Sequence, residues 1–424
     1  MNLLCGSSAL RGEVTIPGSK SHTIRAVAIA ALADGESHIE RPLESDDARA
    51  AVTVYGALGA EIETSNDVWR VQGTGGNLRI PENVLDVGNS GTTLRLAMGS
   101  CALLREGLAV LTGDDQIRRR PGGPLAQALT NLGACVQSTR NNGCAPFVVR
   151  GRLQGGKTSI EAITSQYLSS LLLNTPLGDN DTVIEVPVLN EQPYVEMTLD
   201  WLARQGVVIE NENFKRFYVR GGQHYKPVRR AIPADFSSAT FFLAAGALPG
   251  NDILVRGLDM NDTQGDKAVV DYVKSMGANV QIQPEGIRVA AQDLVGREID
   301  LNATPDALPM LAVLACFARG TTRLVNVPQA RLKETDRIAV MREELTKLGG
   351  KITELPDGLV IEESRLHSGT VEGHGDHRVI MALAIGATQI PGTTRIRGCE
   401  AMSVTYPTFV ETVSQLGGNV QVEK

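Results

Sequence analysis

The sequence has no CxxC pair. Its six cysteines, Cys5, Cys101, Cys135, Cys144, Cys316 and Cys399, stand singly, which argues against a zinc framework or a disulfide scaffold and fits reduced thiols in a cytoplasmic protein. No apolar run approaches the roughly 20 residues of a membrane helix. The opening MNLLCGSSALRG lacks both a basic region and a long apolar stretch, so it does not read as a secretion signal. Excess positive charge is missing as well. The formal net charge is −7, with 21% charged and 42% hydrophobic residues, a balance that suits a globular protein and gives no global reason to bind nucleic acid. A nucleotide-binding P-loop is absent around Lys20, because Val14 and Ser19 occupy the two positions where GxxxxGK[ST] needs glycine.

What is present is length and repetition. A chain of 424 residues is too long for one ordinary core and implies two or more domains or repeats. Six segments share one plan: YGALGAEIE, LTNLGACVQ, LARQGVVIE, VKSMGANVQ, LTKLGGKIT and VSQLGGNVQ. Each reads as the last turn of an amphipathic helix, a glycine able to take the left-handed cap, and then an alternating strand. The glycines fall at 59, 133, 206, 277, 349 and 417, at spacings of 74, 73, 71, 72 and 68. Helix–Gly–strand is common in any α/β protein, but capping chemistry does not require near-constant spacing, so duplication is the better account. Units this long exceed a solenoid repeat. The turn-rich, basic stretch before Ser237 places a domain boundary near residue 230, with three copies on each side. Facing lobes would form a cleft, where ligands commonly bind.

Polar clusters recur at the starts of predicted helices. Pro17-Gly18-Ser19 is a turn that delivers Lys20, Ser21 and Arg25 to an Ala-rich helix ending at Gly35, where free N–H groups and the macrodipole already favour an anion. VGNSGTTLR places Asn89, Gly91, Thr92 and Arg95 on another such turn; plain N-capping by Asn89, Ser90 or Thr92 is the rival explanation. Arg118, Arg119 and Arg120 precede a Pro-Gly helix start, although a basic triplet is usually a solvated face. Thr164, Ser165 and Gln166 offer donors, of which capping explains one. Asp306 precedes a strongly apolar helix, either as a cap or as a base, provided that neighbouring cations do not depress it too far. Lys333 and Arg337 are expected at i, i+4 on one helical face, balanced by Glu334 and Asp336 or by a bound anion. His374, Asp376, His377 and Arg378 precede the next apolar helix, and a metal there lacks a ligand framework elsewhere. Asp46 and Asp47 read as dipole-favouring residues of a capped helix. Lys20, Arg25, Arg120, Lys333, Arg337 and Arg378 thus stand near helix starts, three in each half of an acidic chain. Gathering them is costly unless the ligand is highly anionic, which points to phosphorylated, carboxylated small molecules.

Taken in order, PGSKSxxxR, GNSGTTLR, RRRP, SQYL, PDALP, LKETDR, GDHR and TYPTF resemble the 5-enolpyruvylshikimate-3-phosphate synthase family of enolpyruvyl transferases along nearly the whole chain. The resemblance implies two lobes, each of three similar α/β units of about 70 residues with helices buried beneath sheets, an inside-out α/β barrel type. The expected lobes are 16–230 and 1–15 plus 231–424, because the first strand joins the second lobe, with the active site in the interlobe cleft. It also implies transfer of the enolpyruvyl group of phosphoenolpyruvate to the 5-hydroxyl of shikimate 3-phosphate, in aromatic amino acid biosynthesis. By matching positions, Lys20, Gly91, Arg120, Gln166, Arg337 and Arg378 would hold phosphoenolpyruvate, with Asn89 on the same loop. Ser21, Arg25, Thr164, Ser165, Tyr194 and Lys333 would contact the shikimate phosphate. Asp306 would take the hydroxyl proton, and Glu334 would protonate the methylene carbon, with Lys20 beside them. No metal or cofactor is required, fixed cations stabilise the tetrahedral intermediate, and the protein is expected to act as a cytoplasmic monomer without nucleic acid or membrane.

Three positions depart from the family. Glu191 stands where many relatives carry a serine that touches the shikimate phosphate, Val404 where many carry a lysine, and Thr164 replaces a serine conservatively. The rival functions are an enolpyruvyl transferase with another acceptor, such as UDP-N-acetylglucosamine, and a non-catalytic anion-binding protein. Lys20-Ser21 with Arg25, and no evident catalytic cysteine loop around 114–122, favour the shikimate branch.

Overall fold

The six repeated glycines adopt positive φ, from +74° at Gly206 to +113° at Gly59. Each follows a helix and precedes a strand, so the echo in the sequence is one structural device used six times: a left-handed residue turns the chain out of the helix at little steric cost. The computed structural model describes residues 1–65 and 67–423. Its α-helices are α1 (Lys20–Leu32), α2 (Asp46–Ala57), α3 (Gly91–Cys101), α4 (Gly123–Asn131), α5 (Ser165–Asn174), α6 (Gln192–Arg204), α7 (Phe236–Ala247), α8 (Val269–Ser275), α9 (Leu308–Cys316), α10 (Arg337–Lys347), α11 (His377–Ala387) and α12 (Phe409–Gln415). The glycines follow the even-numbered helices.

Two compact units result, a continuous one of Gly18–Ile232 and a discontinuous one of Met1–Pro17 with Pro233–Lys424. Backbone bonds explain where the chain changes unit. Ile16 N donates to Arg256 O (3.2 Å) and Asp235 N to Pro17 O (3.0 Å), whereas Ile232 N donates to Glu40 O (2.8 Å).

The strands form six separate four-stranded sheets of one design. In one of them Gly156–Ala162 runs parallel to Thr182–Leu189, which pairs antiparallel with Arg216–Val219, itself antiparallel to Ile209–Glu212. Three sheets are completed by distant chain. Asn2–Gly6 lies between Thr393–Arg397 and Asn419–Glu423, Arg11–Thr15 runs parallel to Asp252–Arg256, and Arg229–Ala231 runs parallel to Glu36–Glu40. No sheet of the described residues closes on itself: the repeat supplies open sheets that are covered by helices, as expected of units with helices buried beneath sheets.

The odd-numbered helices are the covered ones. All residues of α3, α7, α9 and α11 are buried, which for α9 and α11 follows from a sequence apolar almost all round. In the continuous unit α3 packs on α1 and α5; in the discontinuous unit α9 packs on α7 and α11. The even-numbered helices keep a solvated face. This alternation brings the N-termini of buried helices, and the polar turns ahead of them, to the rim of each core.

Candidate active site

In the continuous unit α1 begins at Lys20 because Ser19 caps it, accepting from His22 N at 3.5 Å. The ammonium of Lys20 lies 3.0 Å from Asp47 Oδ2, and both side chains are largely buried. Asp47 therefore does more than favour a dipole. Arg25, one turn along α1, is buried with its guanidinium donating to Thr198 Oγ1 (2.9 Å), Ser169 Oγ (3.3 Å) and the carbonyls of Ser21 (3.0 Å) and Tyr194 (3.1 Å). Burial lowers its pKa to about 10, against the opposing pull of Tyr194 and Glu191, so it stays charged at neutral pH.

A second group surrounds the start of α3. Ser90 is the cap there, accepting from Thr93 N at 3.3 Å, which leaves Asn89 to donate its amide to Asp114 Oδ2 (2.6 Å) and Gln116 Oε1 (2.7 Å). Of the basic triplet only Arg120 is buried; its Nη1 reaches Asn89 O at 3.5 Å. Glycine at 91 leaves room for two guanidinium groups, since a Cβ would meet Arg95 Nη1 and the Arg120 guanidinium carbon, the latter at 2.9 Å, and displace both. Gln166 Nε2 donates to Thr92 Oγ1 at 3.1 Å, and Arg95 and Tyr167 both donate to Pro121 O at 2.9 and 2.7 Å. Asn89, Gly91, Arg120 and Gln166 are thus brought to one place. Beside them Thr164 caps α5, and its hydroxyl (3.1 Å), Ser165 N (3.0 Å) and Ser165 Oγ (2.7 Å) all donate to Glu191 Oε2.

The discontinuous unit gathers the remaining candidates around Arg337, whose side chain is 1% exposed. Its Nη1 donates to Asp306 Oδ1 (2.8 Å), its Nη2 to Glu334 Oε2 (2.6 Å) and Asp376 Oδ1 (3.2 Å), and its Nε to Asp376 Oδ2 (2.7 Å). Arg378 Nη2 lies 3.0 Å from Asp306 Oδ2 and Lys333 Nζ 3.7 Å from Asp306 Oδ1. Burial alone would raise the Asp306 carboxyl, but Arg378, then Lys333 and Arg337, outweigh it and hold the group far below the usual carboxylate range. Arg337 is displaced the other way: burial favours the neutral form, while Asp376, Glu334 and Asp306 push its pKa up. Three cations and three carboxylates form a balanced array.

Two sequence readings change here, and the His374–Arg378 cluster acquires definite partners. Asp306 does not cap: neither Pro305–Ala307 nor α9 has a side-chain cap bond, and the carboxylate is taken by cations. Lys333 and Arg337 do not share a helical face, because Lys333 is extended (φ −82°, ψ −152°) and α10 starts at Arg337, capped by Asp336; they meet through Asp306 instead. His374, Asp376 and His377 do not converge as a metal trio. Asp376 caps α11 through Arg378 N (2.9 Å) while gripping Arg337, and His374 binds Glu344 at 2.6 Å.

The family model for EPSP synthase (3-phosphoshikimate 1-carboxyvinyltransferase) matches residues 4–413. The chain belongs to that family. The 3-phosphoshikimate 1-carboxyvinyltransferase of Acetivibrio thermocellus is 54% identical over 420 residues, 99% of each chain, and that of Ruminiclostridium cellulolyticum 52% identical over 422 residues, the whole of both. Among solved structures, an EPSP synthase from Acinetobacter baumannii matches with a TM-score of 0.83 and 28% identity, covering all of both chains. The enolpyruvyl transferase NikO from Streptomyces tendae, with a TM-score of 0.77 and 19% identity over 99% and 98% of the two chains, shares the fold.

Several groups at these sites were not singled out from the sequence, or were given another role. Asp47 lies on the buried face of α2 with Ala51, Val54 and Leu58, and an acid at that spacing among apolar residues was the available signal. Thr198, between Val195 and Leu202 on α6, is the same kind of signal. Ser169 and the second role of Asp376 left none, since their partners lie far away in the chain. Of the described residues, Glu343, Glu344 and His374 have ligand atoms within 4.8 Å of one another, but Glu344 is already satisfied by Lys347 (2.7 Å), His374 and Glu372 N (3.0 Å). Chemically, the two units offer buried cations held by carboxylates: sites preorganised for a multiply charged anion that can exchange with those carboxylates.

Proposed function

We propose that the chain transfers the enolpyruvyl group of phosphoenolpyruvate to the 5-hydroxyl of shikimate 3-phosphate with release of phosphate, a step toward aromatic amino acids. The observation that carries this reading is the array of Asp306, Glu334, Asp376, Lys333, Arg337 and Arg378 in a chain whose family performs this chemistry. Lys20, Gly91, Arg120, Gln166, Arg337 and Arg378 are assigned to phosphoenolpyruvate by their match to the family's motifs, and Asn89 braces the Gly91 loop. Ser21, Arg25, Thr164, Ser165, Tyr194 and Lys333 serve the phosphorylated acceptor.

The reaction is an addition followed by an elimination. Asp306 takes the proton of the 5-hydroxyl as its oxygen bonds to C2 of phosphoenolpyruvate, while Glu334, having taken up a proton from solvent as the anionic substrates bind, gives it to the methylene carbon. Loss of a proton from that carbon and departure of phosphate then restore the double bond. Asp306 is too weak a base while three cations hold it. Arrival of phosphoenolpyruvate gives Arg337 and Arg378 a competing anion, and the acceptor's phosphate does the same for Lys333, which raises the Asp306 pKa toward a useful value. The base is thus switched on by the substrate.

The six free thiols support a cytoplasmic, reduced protein, and no helix of the described residues is long and apolar enough to cross a membrane. The protein is taken to act as a monomer. Phosphate release from phosphoenolpyruvate, measured with shikimate 3-phosphate as acceptor, tests the function. Turnover only with UDP-N-acetylglucosamine would assign another acceptor, and binding of both ligands without turnover would make the protein a receptor.

A further inference from the structure

At Glu191 a charge of the protein itself already occupies hydroxyl and backbone donors expected to serve the acceptor. Three donors from the start of α5 converge on its Oε2 at 2.7–3.1 Å, and the residue is 2% exposed. Its backbone is left-handed, φ +58° and ψ +40°, a conformation that costs an ordinary L-residue energy and is rare for a long side chain. Glu191 is also placed as the N-cap of α6 without making a side-chain cap bond. Its carboxylate is committed to Thr164 and Ser165 rather than to its own helix, and its charge acts on Arg25. Those three residues are among the six that the proposed function gives to the phosphate of shikimate 3-phosphate.

We propose that Glu191 is a resident anion that competes with the acceptor's phosphate for Thr164 and Ser165, so that the acceptor binds only by displacing this carboxylate. The inference rests on the acceptor assignment above. Its consequence is selectivity. A phosphate dianion, with more charge and more acceptor oxygens, can take charge-assisted donors from a carboxylate, whereas an acceptor lacking the phosphate cannot. The filter lowers the affinity for the correct acceptor and excludes the unphosphorylated one.

The test is titration calorimetry of the full chain with shikimate 3-phosphate, with inorganic phosphate as a second probe. Glu191→Asn shortens the side chain, removes its charge and suits left-handed backbone; it should bind both probes at least about tenfold more tightly than the parent. Adding Thr164→Val should abolish most of that gain, because the gain must pass through the same donors. Unchanged or weaker binding by Glu191→Asn overturns the proposal. Should that variant not unfold cooperatively, Glu191→Ser replaces it under the same criterion. If neither form binds shikimate 3-phosphate but Glu191→Asn gains affinity for inorganic phosphate, the acceptor assignment falls and the competition stands. Binding of shikimate 3-phosphate with no gain leaves the assignment and removes the competition. Absence of binding by either probe overturns both.

Discussion

Asp306→Asn separates the role of this residue as a counter-ion from its role as a base, because the two predict opposite effects on phosphoenolpyruvate. The array around Arg337 holds three cations and three carboxylates; the substitution leaves one positive charge in excess. Its structural cost follows from the lost pairings with Arg337 (2.8 Å), Arg378 (3.0 Å) and Lys333 (3.7 Å). Breaking a buried pair costs about 3–5 kcal/mol, and the low end applies here since asparagine keeps an acceptor oxygen and the site is partly solvated. A loss of about 3 kcal/mol lowers the Tm by about 6–12 °C for a unit of this size. The freed cations should meanwhile bind phosphoenolpyruvate about tenfold more tightly, a modest share of the ~4 kcal/mol that one unit charge exerts at 4 Å in an effective dielectric of 20. Turnover should fall by about 10²-fold or more through loss of the base. Thermal unfolding, calorimetry and phosphate release measure the three quantities. Weaker or equal phosphoenolpyruvate binding refutes the substrate-switched base, and retained turnover removes Asp306 from the chemistry. The pH dependence has a fixed sign. The folded-state pKa is depressed, so the stabilisation is complete above the unfolded value of about 3.9 and is lost as the pH falls through the folded value. The Tm gap between parent and variant should therefore be full above about pH 4 and close below it.

Two further substitutions probe the scaffold. Gly91→Ala should raise the KM for phosphoenolpyruvate several-fold, roughly a 1 kcal/mol effect, because the new methyl meets Arg120 at 2.9 Å; steady-state kinetics with an unchanged KM would show that Arg120 does not serve that ligand. Gly206→Ala meets no atom within 4 Å yet carries φ +74°, so its cost should be backbone strain alone, about 1–2 kcal/mol. Gly206→Asn should cost less, and denaturant unfolding that ranks Asn below Ala would contradict the left-handed cap.

The repeat was legible because it depends on local chemistry. A glycine cap followed by an alternating strand leaves its mark within nine residues, and all six marks correspond to real helix ends. Helices α9 and α11 were legible for a similar reason, being apolar almost throughout. The swapped strands were not readable from residue pattern: nothing within RGEVT says that it pairs with Asp252–Arg256, and only the family resemblance assigned the first strand to the discontinuous unit. The site divides along the same line. Lys20, Arg25, Arg120, Arg337 and Arg378 stood out as cations near helix starts, whereas the helix inferred through Lys333 was wrong because Asp336 caps α10 three residues later than the charge spacing suggested. Asp47 reads locally as a dipole-favouring residue and Asp376 as one of a polar cluster ahead of a helix, whereas their main partners lie 27 and 39 residues away.

That error has a common physical form. Local rules assign a carboxylate at a helix start to the helix, and Asp306, Asp376 and Glu191 all occupy such positions. In the fold each is taken over, wholly or in part, by charged or hydroxyl donors from elsewhere in the same unit. The reason is electrostatic: a unit that buries Arg25 or Arg337 for the sake of an anionic ligand must keep those charges solvated when the ligand is away. Backbone carbonyls and hydroxyls do this for Arg25; carboxylates do it for Lys20 and Arg337. Neutral partners leave a site's charge intact for the ligand, whereas carboxylates must be exchanged, so under the proposed assignments Asp306 and Glu191 would set both the affinity and the selectivity of the sites they fill. The acids of this chain are on this view as much a part of anion recognition as its cations.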